Sequence, residues 1–127
     1  IRRSGENIAA AEVEAWLQTH PDVLLAAVLA VPDELREEEV LACVVLAPQA
    51  EPATGPRNQD ALLQALFEHC RAGLAYYKLP GWIWITADIP TTGTQKLRKH
   101  SIFAPGIDPR SLPGMHDLRA WKKRQAG

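Results

Sequence analysis

The 127-residue sequence predicts a small α+β domain: a mixed or antiparallel sheet of about three main strands, a short N-terminal extended segment, and helices packed on the sheet. Three observations carry that expectation. The runs 23–31 and 40–46 are apolar without alternation, as strands covered on both faces are. Leu63, Leu66, Phe67, Cys70 and Leu74 recur at helical spacing. Gly81-Trp82-Ile83-Trp84-Ile85 concentrates heavy β-formers in one short stretch.

The elements follow in order. Residues 1–8 read as a short extended segment broken by a turn at Ser4-Gly5. A helix is expected from about Ala9 to Thr19, with Val13, Trp16 and Leu17 on one face and Glu12 and Glu14 away from it. Its start is weakly signed, because Ala9 and Ala10 stand where a hydroxyl or carboxylate cap would be stronger. His20-Pro21-Asp22 stops it. The strand 23–31 turns at Pro32-Asp33-Glu34-Leu35-Arg36, and 40–46 returns antiparallel beside it. After a Pro- and Ala-rich loop, a second helix is expected from Asn58 to about Leu74, capped by Asn58 or Asp60 and weakened in its last turn by Gly73. Tyr76-Tyr77-Lys78-Leu79-Pro80 leads into the aromatic strand. Pro105, Gly106, Pro109, Pro113 and Gly114 read as a linker, and His116 to Gly127 as a short helix with Leu118 and Trp121 on one side. This divides the chain into a domain of residues 1–103 and a linker with a helical tail over 104–127.

Composition narrows the function classes. A formal net charge of -1 provides no whole-molecule attraction to nucleic acid or an anionic membrane. The longest apolar run is too short to span a bilayer, and no secretory leader is visible. Cys43 and Cys70 lack metal-type spacing and sit in apolar surroundings, which predicts reduced thiols and a cytoplasmic setting. His20, His69, His100 and His116 also lack ligand spacing, so no metal site is expected. His20, His69 and His116 read as surface or capping residues. The first residue is Ile1, which suggests a piece of something longer.

One stretch stands out chemically: Pro90-Thr91-Thr92-Gly93-Thr94-Gln95-Lys96-Leu97-Arg98-Lys99-His100. Its hydroxyls compete for backbone groups and Gly93 is conformationally free, so a loop is expected that delivers Lys96 at its end. Charge runs usually mark a wet surface, and a solvated basic turn is the alternative from these residues alone.

Arg2-Arg3-Ser4-Gly5-Glu6-Asn7-Ile8 followed by Glu12-Val13-Glu14 resembles the segment that opens the mobile C-terminal domain of acyl-adenylate-forming enzymes. Further matches fall in the family's order: His20-Pro21-Asp22-Val23, Val31-Pro32-Asp33-Glu34, Tyr77-Lys78-Leu79-Pro80, and Ile89-Pro90 ahead of Thr94-Gln95-Lys96-Leu97-Arg98-Lys99. The resemblance covers residues 1 to about 103. It implies the C-terminal domain of an ATP-dependent acid–CoA ligase, similar to carnitine/crotonobetaine– or fatty-acid–CoA ligases. Lys96 matches the lysine that enters the active site of a larger N-terminal domain during adenylation. Gly5 matches the glycine of the loop used in thioester formation. Arg2, Arg3 and Lys78 are candidates for the phosphates of coenzyme A; for Arg2 and Arg3 a solvated strand end is the equal alternative.

The resemblance implies ATP with Mg2+ and coenzyme A in the whole enzyme, none held by this fragment, and a carboxylic acid substrate. It also implies the missing N-terminal domain as partner and no activity in isolation. This sequence departs from the family's pattern at Gln95 and Glu37, where glycine is common, and at Ala9-Ala10. Trp82 and Trp84 could stack an adenine, against sheet packing as the plainer use. The rival functions are a free-standing binding or regulatory module of the same fold, and a nucleic-acid module using Lys96 to His100 and Lys122 to Arg124.

Overall fold

The computed structural model describes residues 2–3, 6–33, 37–48, 56–86, 89, 108–112 and 114–121. Its strands are β1 (Arg2–Arg3), β2 (Glu6–Asn7), β3 (Val23–Asp33), β4 (Glu37–Leu46), β5 (Trp82–Ile85) and β6 (Met115–Asp117). The helices are α1 (Ala10–Leu17) and α2 (Pro56–Gly73), with single 3₁₀ turns at Tyr76–Lys78 and Pro109–Ser111. The α+β expectation holds, with β3, β4 and β5 as its main strands.

Strand β4 organises the sheet. β3 runs antiparallel to it along its whole length, from Asp33 opposite Glu37 to Val23 opposite Leu46. With that edge filled, β5 pairs in parallel on the other, from Leu41 opposite Trp82 to Val44 opposite Ile85. The β1–β2 hairpin joins at Arg3 opposite Glu37. A parallel neighbour requires a crossover, and α2 lies in that connection. β6 pairs antiparallel with the far side of β5.

The unbroken hydrophobicity of β3 and β4 has a direct cause: each faces two cores. On one face Ala26, Val28, Val40, Ala42 and Val44 meet Val13 and Leu17 of α1 and Leu63, Leu66, Phe67 and Cys70 of α2. On the other, Ala27, Val31, Leu41, Cys43, Val45, Trp82 and Ile89 form a second cluster. Leu24 and Ala30 are the exceptions; Leu24, 60% exposed, sits where the β3–β4 register slips between Val23 and Leu25. Both cysteines are free and buried, and burial pushes the Cys70 thiol up to about 12.

Three local readings change. α2 begins at Pro56 rather than Asn58, because proline's fixed φ suits a first helical position whose N–H would be unpaired anyway. Gly73 ends α2 against the Trp16 indole, where any Cβ would collide with the ring, so it serves close packing. Residues 115–117 are strand, not the start of a tail helix. They extend β5's open edge, and helix begins only at 119.

Candidate functional site

Lys96 and Gly5 lie outside the described residues, as do Gln95 and the stretches 90–107 and 122–127. Arg2 and Arg3 are placed as backbone only, in the hairpin that precedes α1 and touches the start of β4. Lys78 is described in full.

Lys78 ends the 3₁₀ turn between α2 and β5, and its ammonium reaches back to the first turn of α1. Nζ donates to Glu12 Oε1 at 2.8 Å and Oε2 at 3.1 Å, with the Tyr77 ring centroid 5.8 Å away. The Glu12 carboxylate raises the Lys78 pKa, chiefly through that hydrogen bond and against a smaller desolvation effect. Sequence reading placed Lys78 as a phosphate ligand but missed Glu12 as its resident anion. A helix register that turns Glu12 outward was the available signal.

The tryptophans pack on the sheet. Trp82 is 8% exposed and its ring is faced by the Arg119 guanidinium at 4.7 Å. Trp84 packs half-buried against the second cluster. The sheet-packing reading of both residues is the one the structure supports.

The histidines work at the helix junction. His69 of α2 stacks on Trp16 of α1 with centroids 5.1 Å apart and planes 17° off parallel, and the Trp16 indole N–H donates to the His69 carbonyl at 2.7 Å. Thr19 Oγ1 lies 2.7 Å from His69 Nε2. The His20 ring meets His69 edge-on at 5.1 Å and accepts from the Asp22 N–H at 3.1 Å through Nδ1, the capping role expected of it. Burial and the neighbouring His69 lower the His20 pKa, opposed by Asp22. Among the described residues no three His, Cys, Asp or Glu side chains converge as metal ligands, and no helix is long and apolar enough to cross a membrane.

The C-terminal residues are fastened to this sheet. The Leu118 N–H donates to the Gly81 carbonyl at 2.7 Å, and its side chain is 3% exposed in the first core. Trp121 meets Phe67 edge-on at 5.6 Å. Arg110 holds both Asp108 oxygens and donates from Nη1 to the Pro32 carbonyl at 2.9 Å.

Comparison with known proteins places these features. A family model described as "AMP-binding enzyme C-terminal domain" matches residues 12–96. The medium-chain acyl-CoA ligase ACSF2, mitochondrial, of Danio rerio is 38% identical over 102 residues, which is 80% of this chain and 15% of that protein. The acyl-coenzyme A synthetase ACSM2, mitochondrial, of Rattus norvegicus is 38% identical over 104 residues, 82% of this chain and 18% of that protein. This chain therefore spans less than a fifth of the length of these two relatives. Among solved structures, a Brucella canis acyl-CoA synthetase superposes with a TM-score of 0.68 at 29% identity, over 99% of this chain and 19% of that one. An anthranilate CoA ligase, AuaEII, solved with anthranoyl-AMP, has a TM-score of 0.68 at 31% identity over 79% of this chain and 18% of that one.

Proposed function

Because the chain belongs to the AMP-binding enzyme C-terminal domain family, we propose that it acts as the C-terminal domain of an ATP-dependent acid–CoA ligase, with Lys96 as the adenylation lysine. The observation that carries this reading is the family match over residues 12–96, which runs through the candidate helices and strands and ends on Lys96 itself. Relatives named as acyl-CoA ligases and synthetases support the reaction class.

The chemistry asks for such a residue. Attack of a carboxylate on the α-phosphorus of ATP gathers negative charge on the carboxylate, the phosphoryl oxygens and the departing pyrophosphate. A preplaced ammonium stabilises that charge and orients two mutually repelling anions, a contribution of about 10²–10³ in rate for a comparable group. Lysine suits the task as a compact charge on a long stem. Mg2+ accompanies ATP and neutralises phosphate charge. In the second step, Gly5 admits the pantetheine arm close to the backbone, and Arg2, Arg3 and Lys78 are the cations available to coenzyme A's phosphates. The nucleotide and acyl pockets belong to an N-terminal domain of the same enzyme, so the present chain is silent alone. Buried thiols at Cys43 and Cys70 suit a reducing compartment such as the cytoplasm, although ACSF2 and ACSM2 carry mitochondrial names.

The test is Lys96→Ala in the intact enzyme, with ATP–pyrophosphate exchange and thioester formation from preformed acyl-adenylate assayed separately. Loss of exchange with the second step retained is the expected result. Full exchange in the variant would return Lys96 to a solvated turn and sink the mechanism.

A further inference from the structure

We propose that Glu12 sets how tightly the domain takes coenzyme A, by holding the Lys78 ammonium that would otherwise meet a phosphate of that cofactor with its full charge; this rests on the reading of Lys78 as a coenzyme A cation given above. The two side chains come from distant parts of the chain. Glu12 stands in the first turn of α1, and Lys78 ends the 3₁₀ turn that follows α2 and precedes β5. Lys78 Nζ lies 2.8 Å from Glu12 Oε1 and 3.1 Å from Oε2, so both carboxylate oxygens face one ammonium. Together the pair carries no net charge, which weakens Lys78 as an anion site. The carboxylate also raises the Lys78 pKa, so the ammonium stays charged at neutral pH and two anions compete for one fixed cation.

The distances set the size of the effect. An anion oxygen accepting from Nζ at about 2.8 Å stands no farther than about 5.6 Å from Glu12 Oε1, inside the Debye length of about 8 Å at physiological salt. The Glu12 side chain is 45% exposed and that of Lys78 21%, so the dielectric around the pair is close to that of water. At that distance and low ionic strength a carboxylate opposes a phosphate bearing roughly one to two negative charges by about three- to tenfold in affinity. An ion pair this open adds little to folding stability, so neutralising Glu12 should leave the domain intact. If the pair served only to tie the 3₁₀ turn to α1, its loss would do the reverse: the melting temperature would fall and coenzyme A would bind as before.

The test is Glu12→Gln in the intact enzyme, which removes the charge and keeps the shape. In thioester formation from preformed acyl-adenylate, KM for coenzyme A should fall about three- to tenfold at low salt, as a KM effect rather than a kcat effect. The gain should shrink as salt rises from about 50 mM to about 0.5 M, and the melting temperature should stay at the wild-type value. Glu68→Gln removes an equal charge from the exposed Glu68–Arg71 pair of α2 and controls for net charge alone; its KM should match wild type. An unchanged or raised KM in Glu12→Gln, or an equal fall in Glu68→Gln, overturns the proposal. Lys78→Met separates it from the reading beneath. If Lys78→Met leaves KM for coenzyme A at the wild-type value, Lys78 is no coenzyme A cation and both fail; if it raises KM while Glu12→Gln leaves KM unchanged, the role of Glu12 alone fails.

Discussion

The Glu14 carboxylate of α1 accepts a hydrogen bond from the Val28 N–H of β3 at 2.7 Å, and Gln18, four residues on, accepts from the Ala26 N–H at 3.3 Å. Among the described residues β3 pairs only with β4, so these side chains stand where a neighbouring strand would donate and accept. Pro32, at the same parity, has no N–H to offer. An exposed edge of this length is a template for pairing with another chain, and the helix covers part of it.

Glu14→Ala should therefore cost about 1–3 kcal/mol, because the Val28 amide, at a residue only 1% exposed, loses its acceptor. Glu14→Gln keeps an acceptor and should stay within about 0.5 kcal/mol. Denaturant midpoints test the energies, and hydrogen exchange at the Val28 amide tests the cause. Equal exchange in Glu14→Ala and wild type would show that the carboxylate does not protect this edge.

Gly81 is held between two partners and beside a third. Its N–H donates to the Val40 carbonyl at 2.9 Å, its carbonyl accepts from Leu118, and an added Cβ would collide with the Glu39 side chain. Glu39 is fully buried and accepts from the Val40 N–H at 2.8 Å, so neither side can yield cheaply. Gly81→Ala should destabilise by about 1–3 kcal/mol through overpacking. Pairing it with Glu39→Ala should cost less than the two changes summed, with a coupling of about 0.5–3 kcal/mol. A thermal-melt double-mutant cycle measures this, and strict additivity would separate the two residues.

Much of this arrangement was legible in the sequence, and its limits have physical reasons. The runs 23–31 and 40–46 announced two-faced strands because, Leu24 and Ala30 aside, odd and even positions alike meet a core. The stripe from Leu63 to Cys70 announced α2, whose buried face it is. β6 was not legible: three residues cannot display a period, and Met115 pairs only because β5 leaves an edge open. Glu12 was read as solvent-facing and Lys78 as ligand-facing, since a pair 66 residues apart leaves no local pattern. Lys96 stood out as the cation at the end of a turn-prone loop, while its role, like that of Gly5, entered through motif order alone.

The C-terminal stretch should behave as core. Leu118→Ala is expected to cost about 2–5 kcal/mol, as truncation of a fully packed leucine does. Chemical denaturation of the variant decides it. A loss under about 0.5 kcal/mol, the scale of a surface change, would mean that Leu118 spends its time off the sheet.

Acid should loosen the junction between the two helices. The folded state lowers the His20 pKa from 6.5, first by burying the ring and then by placing His69 beside it, with Asp22 only partly opposing. As pH falls below about 6.5 the unfolded chain takes up a proton that folded His20 resists, so stability declines through that window until the folded pKa is crossed. His20→Asn retains an acceptor for the Asp22 N–H but cannot titrate. The drop in urea midpoint between about pH 7.5 and 5.5 should shrink in this variant relative to wild type. An identical drop in both proteins would assign the acid sensitivity to other groups and leave His20 with its capping role alone.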